Sequence, residues 1–551
     1  MARQDPSPTL TTQAASQYLI LMKIEQSLNN ELVSFLALSL VSLLFLKLIS
    51  INKRSPSPLL PPGPTAYPVV GSLPEMLLKK PAFRWIHNLM QKLNTEIACI
   101  RLGSVHVIAV TSPELSRDFL KKHDAIFASR PEAVSARLIS NGYLTLAFSP
   151  AGEQWKKMRK VMVSEVLSMR VFRSLHAKRC EEADHLVRYV YDQCNNPLQN
   201  GVVNVRDAAR HYCANLIRKM VFGERFFGIG AEDGGPGTEE REHVDGLFTL
   251  LLFLYGFAIA DFIPWLEVFD FDGHKRIVKN AIKNVRKYHD PPINKRMKMW
   301  QLGLKSEEDD ILDLLINLKS PDHTEPLLSV REITAQIIEI MIATVDNPSN
   351  ATEWALAEMI NQPDILAKAC QELDRVVGKD RLVEESDIPN LNYIKACLKE
   401  SFRIHPLSPF NVPHISSKDV DVGGYFIPKG SHVLLSRPGL GRNPRVWDEP
   451  LKFKPERHIV DESSEVKLVD QELRMLSFST GRRGCPGYLL GSTISTMLLA
   501  RLIQAFRWKP PLDTDIIDLA ESGHNLGLAK PLIAHAMPRL DSQIYKQIIS
   551  N

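Results

Sequence analysis

The chain has no cysteines spaced to share a metal ion or to close a disulfide framework. Its seven, Cys99, Cys180, Cys194, Cys213, Cys370, Cys397 and Cys485, are scattered and odd in number, with no C-x-x-C among them. That excludes a zinc ribbon and a disulfide scaffold and fits a reducing compartment. A basic block is missing too: 67 Lys and Arg stand against 63 Asp and Glu, a net charge of +4 with no aromatic-interleaved cationic stretch. Nucleic acid is therefore not an expected partner. There are no internal repeats, which sets solenoids and propellers aside. What is present is size: 551 residues at 44% apolar content can bury a large core.

The amino end carries the first positive signal. Residues 32–51, "LVSFLALSLVSLLFLKLISI", form a twenty-residue apolar stretch whose one charge, Lys47, sits near its end, where it can snorkel to an interface. The stretch is longer than a signal-peptide core, follows about thirty residues of chain, and has no small-residue cleavage site, so a single-pass transmembrane anchor is expected. Before it, Arg3 and Lys23 are balanced by Asp5, Glu25 and Glu31; after it come Lys47, Lys53 and Arg54. The positive-inside bias places residues 1–31 in the lumen and the long remainder in the cytosol. Residues 52–68 follow as a proline-rich hinge; "PLLPPGPTAYP" holds five prolines in eleven positions, which favours a stiff extended spacer. A second apolar run, "GLFTLLLFLYGFAIA" from Gly246 to Ala260, is too short to span and is expected as a buried helix or one dipping into the interface. The "AEDGGPGTEERE" before it reads as a loop.

Elsewhere helical periodicity dominates, with strand-like runs at residues 106–112 and 424–436. The expected body, residues 69–551, is mainly α with a small β subdomain.

The segment "FSTGRRGCPG" holds a lone cysteine between glycines, with two arginines just upstream. A single axial thiolate is the ligand that haem enzymes use to promote oxygen–oxygen cleavage, and such a site needs one cysteine. Phe478, Gly481, Arg483, Cys485 and Gly487 fit the pattern F-x-x-G-x-R-x-C-x-G and resemble the cytochrome P450 family. The resemblance implies that fold behind the anchor, haem b with Cys485 as the axial iron ligand, Arg483 at a haem propionate, and Phe478 shielding the sulfur.

Three further segments resemble the same family. Glu400 and Arg403 in "KESFRIHP", with Arg457 in "KPERH", match its Glu-Arg-Arg cluster and imply a structural clamp under the haem. Trp155 and Arg159 in "EQWKKMRK" match a W-x-x-x-R helix whose side chains reach a propionate. There Lys156, Lys157 and Lys160 either dock an acidic flavoprotein reductase or simply form a solvated face. Within "MIATVDNPSNATEWALAEM", on a long helix between Glu332 and Asn361, Ala343 to Ser349 align with the oxygen-activating A-G-x-D-T-T segment. Asp346 holds the acid position, Asn347 stands where a threonine is usual, and Pro348 follows. A proline lacks an amide and clashes with the carbonyl four residues back, so the helix is expected to open there.

That departure suits a hydroperoxide-rearranging enzyme or a monooxygenase that relays protons through Asn347. "DNPSNATEWALAEM", "NVPHIS", "RPGLGRNPRVW", "KPERH" and "SFSTGRRGC" together are similar to the plant amino acid N-monooxygenases of family 79. This implies two successive N-hydroxylations of an L-amino acid, then dehydration and decarboxylation, giving an aldoxime for specialised metabolism. Each hydroxylation would consume one dioxygen and two electrons passed from NADPH by a cytochrome P450 reductase, at the endoplasmic reticulum membrane. Asp346 and Asn347 would organise proton delivery. The correspondence draws the substrate pocket from residues 134–145, Ala343 and Thr344, 409–414 and 523–528. Arg137 would pair with the substrate carboxylate, His414 would reach a propionate, and Phe410 suggests an apolar or aromatic side chain, with phenylalanine the specific expectation. The alternatives are a plant P450 that hydroxylates carbon or rearranges hydroperoxides, and a non-catalytic membrane haem protein.

Overall fold

The computed structural model describes residues 59–550, apart from Phe226, Pro321, His323, Thr324, Glu462, Ser463, Leu512 and Asp513. The expected anchor at 32–51 and the tail before it lie outside the described residues. Among the described residues no helix is long and apolar enough to cross a membrane.

The helices that position the site, in chain order, are α1 (Val134–Ile139), α2 (Glu153–Lys160), α3 (His176–Asn195), α4 (Val205–Phe222), α5 (Thr238–Phe253), α6 (His274–Gln301), α7 (Val330–Asn361), α8 (Pro363–Val376), α9 (Asn392–Ile404) and α10 (Tyr488–Ala505). Among the described residues nine strands form three small sheets. The largest pairs β1 (Ile97–Leu102), β2 (Val105–Val110), β7 (His432–Leu435) and β4 (His414–Ile415) in that order; only β2 and β7 run parallel. The second orders β3 (Val202–Asn204), β9 (Ile533–Pro538) and β8 (Phe506–Lys509), and the third pairs β5 (Val420–Val422) with β6 (Tyr425–Ile427). The strand-like runs at 106–112 and 424–436 thus fall on β2 and on β6 with β7.

The axis of the molecule is α7. A capping box starts it: the Ser329 hydroxyl accepts from the Glu332 amide, and the Glu332 carboxylate accepts from the Ser329 amide at 2.9 Å, satisfying two amides that a helix start leaves open. Its side chains are buried nearly all round, as an apolar sequence without one polar face requires. α4, α9 and α10 pack on it. α4 in turn is capped by Asn204, whose side chain accepts from the Asp207 amide, and stops at Gly223 in the left-handed conformation.

Three expectations are corrected. α7 stays helical through Pro348 instead of opening. Around the proline, side chains bond back to the preceding turn: Thr344 Oγ1 donates to the Ile340 carbonyl, Asn347 Nδ2 to Ala343 and Ser349 Oγ to Val345, each at 2.8 Å. Such back-bonding lets a helix absorb the lost amide by bending. The second correction is the loop expected over "AEDGGPGTEERE": α5 already begins at Thr238, because Glu239 and Glu240 sit in its first turn, where the helix dipole favours acids. The third concerns the apolar run from Gly246, where α5 covers only the first half. The helix ends at Phe253, and Tyr255 and Phe257 take positive φ.

The described half of the proline-rich hinge is no free spacer. The Leu59 carbonyl accepts from Phe426 N, the Pro62 carbonyl accepts from Cys99 N, and Gly63 lies so close to β1 that a Cβ there would fall 1.9 Å from the Cys99 carbonyl oxygen.

Candidate active site

A cavity of about 350 Å³ lies where α2, α7, the start of α10 and the segments 406–414 and 475–487 converge. Its floor is the cysteine loop. Phe478 and Ser479, both at φ 57°, are followed by Gly481 at φ 72°, a left-handed turn that costs non-glycine residues roughly 1–3 kcal/mol each. A side chain at Gly481 would meet the Leu120 carbonyl oxygen at 2.6 Å, so glycine is required twice over. The turn brings Cys485 N to donate to the Phe478 carbonyl at 2.9 Å. Asp470 accepts from the Met475 and Leu476 amides, both at 2.8 Å, and steadies the segment entering it. The Cys485 thiol opens onto the cavity. Burial pushes its pKa up, while the Gly487 amide and the Arg437 and Arg159 charges pull it back toward the thiolate. The Phe478 ring lies edge-on to Phe402, centroids 6.0 Å apart, beside the sulfur loop.

One edge of the cavity is a set of donors. Arg483 donates to the Ala128 and Ser149 carbonyls at 2.6 Å each and to Leu146 at 3.2 Å, with its guanidinium 4.5 Å over the Trp155 ring. Arg130 donates to Ala147, Val412 and Pro413 carbonyls. Burial pulls the pKa of Arg483 down to about 9 and those of Arg130 and Arg437 to about 10. Three buried side-chain donors on this cavity have no partner: Trp155 Nε1, Arg437 Nε and Asn411 Nδ2. His414 Nδ1 lies 2.6 Å from the Phe127 carbonyl, which fixes the proton there; burial holds its pKa well below the usual histidine value. A concentration of buried cations and orphaned N–H groups is costly without an anion. A planar cofactor with two carboxylates at this edge and a metal accepting a soft sulfur on the floor satisfies both halves of the donor set.

The adjoining wall is α7. Ala343, Thr344, Asn347 and Pro348 line it, together with Gln336, Glu339 and Ile340. Asp346 does not; it is buried away from the cavity, and Asn350, one turn further along α7, donates to it at 3.3 Å. Burial raises its carboxyl to about 6, and the nearby Arg210 charge opposes the rise.

Beneath the loop, Glu400 binds Arg403 through two hydrogen bonds of 2.7 and 2.8 Å and Arg457 at 3.0 Å. Burial alone would push Glu400 up, but Arg403 and His458 outweigh it and hold it at about 2. His458 Nε2, 2.8 Å from Glu400, makes a fourth member that the "KPERH" motif contains and sequence reasoning left unassigned.

The structure therefore brings Trp155, Arg159, His414, Phe478, Arg483, Cys485, Ala343, Thr344 and Asn347 together on one cavity, with Glu400, Arg403 and Arg457 as a separate buried cluster. Arg137 lies elsewhere, paired with Glu267 at 2.7 Å. Phe410 packs on His87 and Phe257, and residues 523–528 do not line the cavity. Missed by sequence reasoning were Arg130, Arg437 and Glu339, while Asn411 fell inside the expected 409–414 segment without being singled out. Arg437 and Asn411 sit inside the segments "RPGLG" and "FNVPH", but nothing in one sequence marks which side chain turns inward.

A sequence model of the family described as Cytochrome P450 matches residues 61–537. A phenylalanine N-monooxygenase of Arabidopsis thaliana is 55% identical over 490 residues, 88% of this chain and 92% of that protein. A tryptophan N-monooxygenase of Prunus mume is 53% identical over 525 residues, covering 94% and 98%, and a valine N-monooxygenase of Manihot esculenta is 52% identical over 523 residues, covering 94% and 95%.

Proposed function

The chain belongs to the cytochrome P450 family, and from that premise we propose that it is a family-79 amino acid N-monooxygenase that converts an L-amino acid to its aldoxime. The observation that carries the reading is the cavity itself: a thiol on the floor, and at the edge four arginines, Arg130, Arg159, Arg437 and Arg483, with unpartnered Trp155 and Asn411 donors. Identity above half, over nearly the full length of proteins that act on amino acids, supports the chemistry.

These residues fit haem, which when bound supplies reductive activation of dioxygen with electrons from NADPH through a reductase. Cys485 would be its axial ligand, while Trp155, Arg159, Arg437, Arg483 and His414 would hold its carboxylates. Phe478 and Phe402 keep water from the sulfur side. Ile340, Leu407, Val412 and Met162 give the rest of the cavity an apolar lining, which excludes water and receives an uncharged side chain. Asn347, bonded to the Ala343 carbonyl through Nδ2, keeps its own carbonyl oxygen available to hold a proton-carrying water at the α7 wall. Asp346, at about 6, stands behind it as a group able to exchange protons near neutral pH.

Phe410 does not line the cavity, so the case for an aromatic substrate rests on relatives and the apolar lining; phenylalanine is the first to test. Electrons would enter near α2, where Lys156 and Lys160 are exposed, whereas Lys157 is tied to Glu332 at 2.6 Å. We place the enzyme on the endoplasmic reticulum through residues 32–51. The exposed Trp265, Val268, Phe269 and Phe271 give the body a surface suited to the bilayer interface.

Full-length protein with reductase and NADPH should yield aldoxime, detected by mass, from one or a few of the twenty amino acids. Turnover of none would overturn the reading. Release of the full chain from microsomes by alkaline carbonate would sink the anchor.

A further inference from the structure

An amino acid in this cavity brings two charges, and the cavity is unequally equipped for them. Anions meet four arginines and two unpartnered N–H groups. Among the described residues that line the cavity, Glu339 is the sole carboxylate. It projects from α7 one turn before Ala343, is almost wholly buried, and has no arginine or lysine bonded to it. Its oxygens are held by neutral donors: Ala147 N at 3.1 and 3.0 Å, Gln336 Nε2 at 3.0 Å to Oε1, and the buried Thr145 hydroxyl beside them. Gln336 is itself fixed, its Oε1 accepting from Leu146 N at 3.1 Å. A carboxylate offers about four acceptor positions; the Ala147 amide, Gln336 and Thr145 supply three donors, so one position remains. The Arg483 and Arg130 charges lie near enough to favour the ionised form of Glu339 without bonding it, yet burial still outweighs them; holding the charge is expensive, and a cation arriving at the cavity would relieve it.

We propose that Glu339 is the recognition site for the substrate's α-amino group, binding it as the ammonium. The carboxylate is also the acceptor for the proton that nitrogen must lose before it can be oxidised: one N–H bond breaks, one O–H bond forms, and a neutral amine and a neutral acid result. Burial raises the Glu339 pKa toward that of its partner, which lowers the cost of the transfer. Gln336 is a positioning residue that keeps Glu339 turned to the cavity. This inference rests on the amino acid reading above.

The test compares two ligands on the haem-loaded full-length enzyme. One is the L-amino acid giving the largest haem spectral shift, the other the same molecule without its amine, which for phenylalanine is 3-phenylpropanoate. Glu339→Gln is isosteric and keeps an oxygen for the Ala147 amide. It should weaken the amino acid on the order of tenfold to a hundredfold, the effect of losing a charged hydrogen bond, and leave the des-amino acid unchanged. Equal weakening of both ligands would show a merely structural role, and no weakening of either would refute contact; each overturns the proposal. If Glu339→Gln takes up no haem, Glu339→Asp decides with the same pair, since preserved discrimination between the ligands then overturns it and reduced discrimination supports it. A wild-type enzyme that binds no amino acid sinks the amino acid reading instead, and this inference with it.

Discussion

At the scale of single residues, the site divides into what a motif marks and what only packing reveals. That Cys485, Arg483 and Phe478 share one cavity was legible because a fixed spacing along one loop marks them, and Trp155 with Arg159 because i, i+4 residues share a helix face. Cys485→Ser should abolish the absorption band of the reduced carbon monoxide complex that reports a thiolate ligand; retention of that band would remove the cysteine from the metal. Asn347 was legible as a departure, and its bond to the Ala343 carbonyl suggests a separable effect. Asn347→Ala should lower the ratio of product formed to NADPH consumed, while the spectral binding constant for substrate stays within about twofold. An unchanged ratio would count against proton handling. Arg130 and Glu339 were not legible. Both owe their place to the 146–147 peptides, whose amides bond Gln336 and Glu339 and whose carbonyls bond Arg483 and Arg130. Contacts across 17 to 337 residues leave no local signature. Arg137 and Phe410 went the other way, suited by type to a pocket but turned toward Glu267 and His87.

At the scale of elements, periodicity located α7, β2 and β7 well because each is buried on a consistent pattern. Boundaries failed where a side chain changed the terms, as the acids of α5 did. Local rules also overstated the effect of Pro348, since three back-bonded side chains let α7 continue through it. The Glu400 cluster joins α9 to the 3-10 turn at Pro455–His458 and to the carbonyls of Gly441, Pro450 and Lys452, all bonded by Arg403. The folded Glu400 pKa of about 2 lies below its ordinary 4.5. Its contribution is therefore complete above pH 4.5 and is lost as pH falls toward 2, about 3 kcal/mol over that window. Denaturation midpoints followed by circular dichroism should fall steeply there, and less steeply in Glu400→Gln. Arg403→Ala, which leaves a buried carboxylate short of its main partner, should cost about 3–5 kcal/mol at neutral pH. A loss under 1 kcal/mol would mean the cluster is not a clamp.

At the scale of the whole molecule, the small net charge and scattered cysteines spoke only to what the protein is not. The layered arrangement of α7 against α4, α9 and α10 over the cysteine loop was implied by family resemblance and not by composition. Long-range order of that kind depends on which faces meet, and one sequence gives the faces but not the meetings. The hinge shows the same limit in reverse. Five prolines suggested a stiff rod, and the fold instead lays the rod's second half along β1, with Gly63 against the Cys99 carbonyl.

That seam makes residues 59–66 a mooring line lashed to the hull, not a rope paid out from it. Adding a single methyl group with Gly63→Ala would pry the line loose at one point. Limited proteolysis should then nick the chain near residue 63 many times faster than in the parent, with the haem spectrum unaltered. Under the anchor proposed for residues 32–51, the body of such a variant would stay attached and lose its set heading, so the mouth of the cavity would swing.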